Sequence, residues 1–408
     1  MLFARTAITL EESMSLPRWR RPEALLYLMA AAQPISFATW SALINNFVIE
    51  RAAFTGREIG WLQSVREVPG FLAIGVIVVL WLMREQVLAL SALVLLGVAT
   101  ALTAAFPSFA GLLTLTLLSS IGFHYFETVN QSLQLQWTPK AEAPRRLGRI
   151  VAISSGASLL AYGLLVVTWH RFNLSYELVF GIAGCSTVLM AVFAALAFPR
   201  FEAPNPQIKR LLMRRRYWLY YALQFMAGAR RQIFVVFAAF MMVERFGFDV
   251  QALTSLFLIN YAANIVVAPL LGRVVAHFGE KRALMIEYTG LASVFLGYGA
   301  LYKFDLGPMF AAGLYVADHL FFAMAFALKT YFQKIADPAD IAPTAAVAFT
   351  INHIAAVALP AALGYLWVTD PSAVFLLAAS MAGVSFLLAL MIPRHPEKGN
   401  ETVFSARL

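Results

Sequence analysis

Apolar runs long enough to cross a bilayer recur from one end of this 408-residue chain to the other. About 18 to 20 such residues, wound as an α-helix, span the roughly 30 Å of hydrocarbon. A chain in lipid must satisfy its backbone hydrogen bonds internally, so it spans as helices or as a closed barrel. No stretch alternates with the period of two that a barrel strand requires. Apolar residues make up 61% of the sequence and charged ones 13%, against about 25% charged in soluble domains. The chain therefore reads as an all-α polytopic membrane protein. Twelve spans are predicted, at 24–48, 58–82, 87–105, 110–130, 150–169, 177–198, 217–243, 250–271, 283–301, 309–332, 344–368 and 373–392.

The basic residues give an orientation. With the N-terminus inside, the cytoplasmic segments collect 22 of the 31 Lys and Arg and the outer loops 5. Both termini are then expected in the cytoplasm, with a bacterial inner membrane as the setting. The net charge of +9 is spread along the membrane surface as topology signals, which argues against a nucleic-acid partner. Glu11 and Glu12 interrupt the N-terminal segment, so it does not read as a signal peptide. The single cysteine, Cys185, excludes an intrachain disulfide.

Residues 199–216, PRFEAPNPQIKRLLMRRR, form the longest polar connection. They separate an expected six-helix bundle over 24–198 from a second over 217–392, between an N-terminal segment 1–23 and a tail 393–408. The halves resemble each other. At a spacing of 194, FVIERAAF (47–54) matches MMVERFGF (241–248), and WTPKAEAP (137–144) is similar to ADPADIAP (336–343). Two pseudo-symmetric six-helix bundles in parallel repeat are a pattern of secondary transporters. The segment from Gly272 to Arg282, GRVVAHFGEKR, resembles the loop motif GxxxDRxGxRR of the major facilitator superfamily. Gly272, Gly279, Lys281 and Arg282 occupy motif positions, while Ala276 replaces the acid and His277 the first basic residue. The glycines suit tight packing and a sharp turn, and the basic pair suits a helix end. The resemblance implies two bundles rocking about a central site, with spans 1, 4, 7 and 10 around the cavity and spans 2, 5, 8 and 11 between the halves.

Ionisable groups inside the spans are the main functional signal, because lipid penalises them unless they pair or meet water. Arg230 and Arg231 sit side by side in the middle of span 7, where the 194 spacing places Ser36 and Phe37 in span 1. Successive helix positions point about 100° apart, so one of the pair is expected to bind substrate, and one to pair with Asp318 and hold the bundle. Arg66 is a further substrate candidate and Glu67 a proton site, with a local salt bridge as the competing reading. His124 and Glu127, one turn apart, suit either a proton relay or a gating hydrogen bond. Asp318 joins the proton candidates. His353 beside Asn352 suits the cavity or helix packing, and Asn260, Tyr261 and Asn264 give span 8 a polar face. Gln33 precedes Pro34, a predicted bend. Glu287, a few residues into span 9, is expected to pair at the inner surface.

These residues favour a secondary active transporter working by alternating access, proton-coupled, for a small anionic or zwitterionic solute. Arginines grip carboxylates or phosphates through charge-assisted hydrogen bonds, and buried carboxylates suit proton loading. No cofactor is expected beyond a proton gradient, and no resident metal. The partners expected are substrate, protons and lipid, and the protein is expected to act as a monomer. An alternative is a divalent metal exporter using His124, Glu127, Asp318, His319 and His353. Another is a non-transporting sensor or assembly factor of the same fold. An enzyme is not expected, since the sequence has no phosphate-binding glycine loop, zinc signature or nucleophile elbow.

Overall fold

The computed structural model describes residues 7–72, 75–138, 143–202, 213–337 and 340–405. Residues 139–142 of WTPKAEAP and 203–212 of the predicted linker lie outside the described residues. Among the described residues the chain is helical, and nine helices are long and apolar enough to cross a membrane; Val250–Ile265 adds a shorter apolar one.

The helices fall at the predicted places. After a short turn, α1 (Leu10–Ser13), come α2 (Pro22–Ala52), α3 (Gly56–Phe71), α4 (Gly75–Leu80), α5 (Glu85–Leu102), α6 (Phe109–Trp137), α7 (Ala143–Thr168) and α8 (Tyr176–Ala197). The second half holds α9 (Trp218–Ile233), α10 (Ala239–Glu244), α11 (Val250–Phe278), α12 (Glu280–Phe304), α13 (Pro308–Phe322), α14 (Phe326–Ile335), α15 (Ile341–Thr369) and α16 (Pro371–Leu390). A π-helical segment, Phe234–Ala238, joins α9 to α10, and a 3₁₀ turn, Ala323–Ala325, joins α13 to α14. Pro34 lies inside α2, which runs unbroken through it.

Local chemistry sets the ends. Ser108, Ser175, Asp249 and Asp370 cap α6, α8, α11 and α16, each accepting a backbone N–H from the first turn, which satisfies a donor the helix leaves open. The ERxxF repeat ends a helix the same way twice. Ala53 (φ 51°) and Gly247 (φ 65°), 194 residues apart, both turn left-handed.

The chain divides into two compact units: residues 1–53 with 65–208, and residues 54–64 with 209–408. The break at 208/209 falls within the connection 199–216, and Phe54–Ser64 groups with the second unit. Within that unit, a side chain at Gly60 would run into the Pro360 carbonyl, and one at Gly364 would meet the Gly56 carbonyl at 2.5 Å. Backbones this close require small residues. Ser64 Oγ also accepts the Ala361 N–H at 2.9 Å.

Each unit repeats one packing scheme. In the first, α5 packs on α6 and α8, and α2 on α7 and α8; in the second, α12 packs on α13 and α16, and α9 on α15 and α16. The first core gathers Leu25, Leu26, Met29, Leu93, Leu96 and Phe126, and the second Tyr217, Leu223, Leu284, Tyr288, Tyr331 and Phe332.

Candidate functional site

The depth of the Arg pair along α9 follows from sequence; its azimuth follows from packing. A side chain at Gly228 would run into the Asn352 carbonyl, and Asn352 Nδ2 donates to the Gln224 carbonyl at 3.2 Å. The glycine thus brings α9 and α15 into backbone contact. Two residues on, Arg230 turns into the unit and is 1% exposed. Its Nη2 lies 3.7 Å from Glu287 Oε1 on α12, its Nη1 donates to Ser385 Oγ on α16, and its guanidinium carbon sits 4.5 Å over the Tyr288 ring. Asp318 on α13 is 2% exposed and within electrostatic reach of both Arg230 and Glu287. Arg231, about 100° round the helix, is half-buried.

Glu287 departs from expectation. It is 1% exposed and faces Arg230 inside the unit rather than pairing at the membrane surface. Two helical turns into α12 already place it at the level of the Arg230 side chain. Ser385 and Tyr288 join the same cluster and were not candidates from sequence. The 194 spacing offered a signal for Glu287, since it sets this acid against Leu93.

Other candidates in the second unit are brought together in part. Asn264 Nδ2 lies 2.7 Å from His319 Nε2. Asn260 is buried and Tyr261 half-buried on the same helix, α11. His353 is buried, its Nδ1 is 2.8 Å from the Phe349 carbonyl one turn back, and its ring lies 4.1 Å from that of Phe349. Gly272 lies in α11, and Gly279 joins α11 to α12 at φ 80°, ψ 163°, a conformation open essentially to glycine alone. Lys281 Nζ donates to the Leu390 carbonyl at 2.7 Å, at the C-terminus of α16, where a cation offsets the helix dipole. Arg282 is exposed.

In the first unit, Arg66 and Glu67 pair with each other at 2.6 Å, the Arg66 guanidinium lies 5.8 Å from the Trp40 ring centre, and the Ser120 hydroxyl donates to the Arg66 carbonyl. A Glu67 carboxylate oxygen also comes within 4.8 Å of a His124 ring nitrogen. Glu127 is exposed while His124 is buried, so the two share a helix but not an environment. Gln33 is half-buried on α2.

A membrane protein of two repeated helical units, with charged groups held at mid-span, belongs by architecture to the transporters that work through paired bundles. The family model described as Major Facilitator Superfamily matches residues 26–360, and the chain belongs to that family. It is a transporter by that membership. The fold is similar to that of the nucleoside transporter NupG in its D323A mutant form, with a TM-score of 0.76, 13% identity, and coverage of 90% of this chain and 99% of that one. It is also similar to a bacterial homolog of the human lysosomal transporter Spinster, in its inward-facing and occupied conformation: TM-score 0.69, 14% identity, coverage 90% and 95%. At these identities the likeness is one of fold. No curated protein sequence matches the chain.

Proposed function

We propose that this transporter moves a small anionic or zwitterionic solute by alternating access, coupled to protons, with Arg231 as its principal cationic ligand. The observation that carries this reading is the division of the Arg pair. Arg230 is enclosed and faces Glu287, whereas Arg231, on the same membrane-spanning helix, is half-buried. A guanidinium at that depth is costly in lipid and calls for polar protein groups or a wet cavity, which can also admit an anion. Its planar fork of donors suits a carboxylate or phosphate. Asn260, Tyr261, Asn264 and His319 supply uncharged hydrogen-bonding groups in the same unit, suited to the neutral part of a solute. Glu67 with His124, and Glu127, are the proton-carrying candidates of the first unit. Arg66, paired with Glu67, serves as a second cationic group that a proton on Glu67 would release.

The test is a thermal-stabilisation screen of organic and inorganic anions on the purified protein, beside Arg231→Ala. At least one anion is expected to raise the melting temperature of the native protein and to lose at least tenfold in apparent affinity in the variant. Flux of that anion into proteoliposomes is expected to follow an imposed pH gradient. A protein that binds and moves no anion, or whose anion is held equally well by Arg231→Ala, refutes the reading.

A further inference from the structure

The cluster around Arg230 has an unbalanced charge count. One guanidinium, which stays protonated in any protein environment, is enclosed with two carboxylates, Glu287 and Asp318, all three at most 2% exposed. The other groups facing it cannot restore the balance. From α12 come Tyr288, under the guanidinium, and Tyr298, within electrostatic reach of Asp318; α13 adds Tyr315 beside Tyr298. Helix α16 contributes Ser385 and carries no ionisable side chain. His319, next to Asp318, turns to Asn264 on α11, and His353 on α15 is held against Phe349. With both acids ionised, this enclosed cluster would hold a net charge of about −1, an arrangement that low-dielectric surroundings oppose strongly.

The hydrogen-bond inventory has a matching gap. Glu287 Oε2 and Asp318 Oδ1 are buried without a hydrogen-bond partner among the described residues, and so are Arg230 Nε and Nη2. A 3.7 Å separation between Arg230 and Glu287 is longer than the 2.7–2.9 Å of a closed charge-assisted hydrogen bond. The guanidinium is thus in reach of two acids and closed onto neither.

We propose that Arg230, Glu287 and Asp318 form a single-proton binding site enclosed in the second unit. Arg230 neutralises one carboxylate, and the other carries the proton. Loading the site converts one carboxylate to a carboxylic acid, adding an O–H donor where two acceptors stand open; unloading returns that proton to water and leaves the guanidinium shared between two anions. The first unit has Ser36, Leu93 and His124 at the corresponding positions, so the scaffold itself does not require the charges. The site deepens the proton-coupled reading above and rests on it for a role in transport, though not for its existence.

Infrared spectroscopy of the full-length protein in lipid nanodiscs tests it, through the carbonyl stretch of protonated carboxylic acids followed against pH. The native protein is expected to show a buried carboxylic acid that titrates. Glu287→Gln and Asp318→Asn are each expected to lose one acid's share of that band, because one acid against one arginine is already neutral. The double variant is expected to lose no more than either single one. Arg230→Gln is expected to stay protonated to higher pH. A band that is absent from the native protein, or that survives unchanged in both single acid variants, overturns the proposal, and absence from the native protein does so even if no variant folds. Anion-dependent stabilisation of the same samples reports the transport reading separately. A site that titrates in a protein that binds no anion stands as a proton site, while an anion-binding protein with no titrating cluster loses the site and keeps the reading.

Discussion

The two units carry the same helix packing around different interiors. At Ser36, Leu93, His124 and Ala191 the first unit presents a hydroxyl, two apolar side chains and an imidazole, all buried; Ser36 Oγ donates to Thr187 Oγ1 at 2.8 Å. At the positions 194 residues on, the second unit presents Arg230, Glu287, Asp318 and Ser385. Leucine and alanine satisfy this place in the scaffold in one unit, so charge in the other is an addition to it. Enclosed ion pairs are seldom better than well-packed apolar groups, yet breaking one is costly, since a charge is left without its partner. The comparison teaches that the second unit gives up the safer packing for groups that can change their charge.

Below the interiors the units converge again. Trp137 Nε1 donates to the Glu202 carbonyl at 3.0 Å in the first, and Tyr331, 194 residues on, donates its hydroxyl to the Glu401 carbonyl at 2.6 Å in the second. Each fastens the segment that follows the last helix of its unit. The means differ around that shared anchor. The first unit uses neutral pairing: Ile8 bridges Phe201 in parallel, and Gln86 binds both the Pro199 carbonyl and the Phe201 N–H. In the second, Lys398 of the tail pairs with Asp337 at 2.5 Å, Arg216 also binds Asp337, and Arg214 binds Asp340.

The largest expected effect comes from Arg230→Ala, which leaves Glu287 and Asp318 enclosed with no cation. It should cost about 3–5 kcal/mol in denaturant unfolding, against about 1 kcal/mol for Ser36→Ala, which removes one neutral hydrogen bond. Equal losses would break the contrast between the units. Next comes a transplant of the first unit's residues into the second, R230S/E287L/D318H/S385A. It is expected to keep the fold within about 2 kcal/mol of the native protein while losing pH-driven flux; collapse of the fold would mean that the second scaffold needs its charges. Trp137→Phe and Tyr331→Phe should each cost about 1 kcal/mol, and a much larger effect in one would show that the two anchors are not equivalent.

The smallest effect concerns acid. A hydrogen bond from Lys398 holds Asp337 below the ordinary carboxylate range, and one from Arg214 does the same for Asp340. A depressed folded value contributes stability that is complete above the unfolded pKa of about 4 and is lost as pH falls through the lower folded value. Protection of the second unit's tail against hydrogen exchange, relative to the intrinsic rate, should therefore fall only in acid below about pH 4, while protection at Ile8 and Phe201 stays flat across the same range. A parallel acid response in both units would show that these carboxylates do not distinguish them.

Much of this was legible in the residues. Long apolar runs fixed a helix at each predicted span, because lipid leaves the backbone few alternatives, and ERxxF marked a helix end that recurs with the same left-handed turn at Ala53 and Gly247. The GRVVAHFGEKR segment located Gly279 at a helix junction and Lys281 at a helix end. Glu287 was misplaced, since its short distance from the start of span 9 suggested the membrane surface, whereas its partner reaches it from α9.

Sequence by itself determined where the membrane-spanning helices lie along the chain and that the two halves are copies with unlike charges, because hydropathy and spacing act along the chain. Only the tertiary structure decided that Arg230 turns inward to Glu287 and Ser385 while Arg231 does not. That choice depends on the azimuth of α9, set by the close approach of Gly228 to Asn352. It also depends on which faces of α12, α13 and α16 meet it. A one-dimensional pattern gives angles within a helix, but not the rotation of one helix against its neighbours.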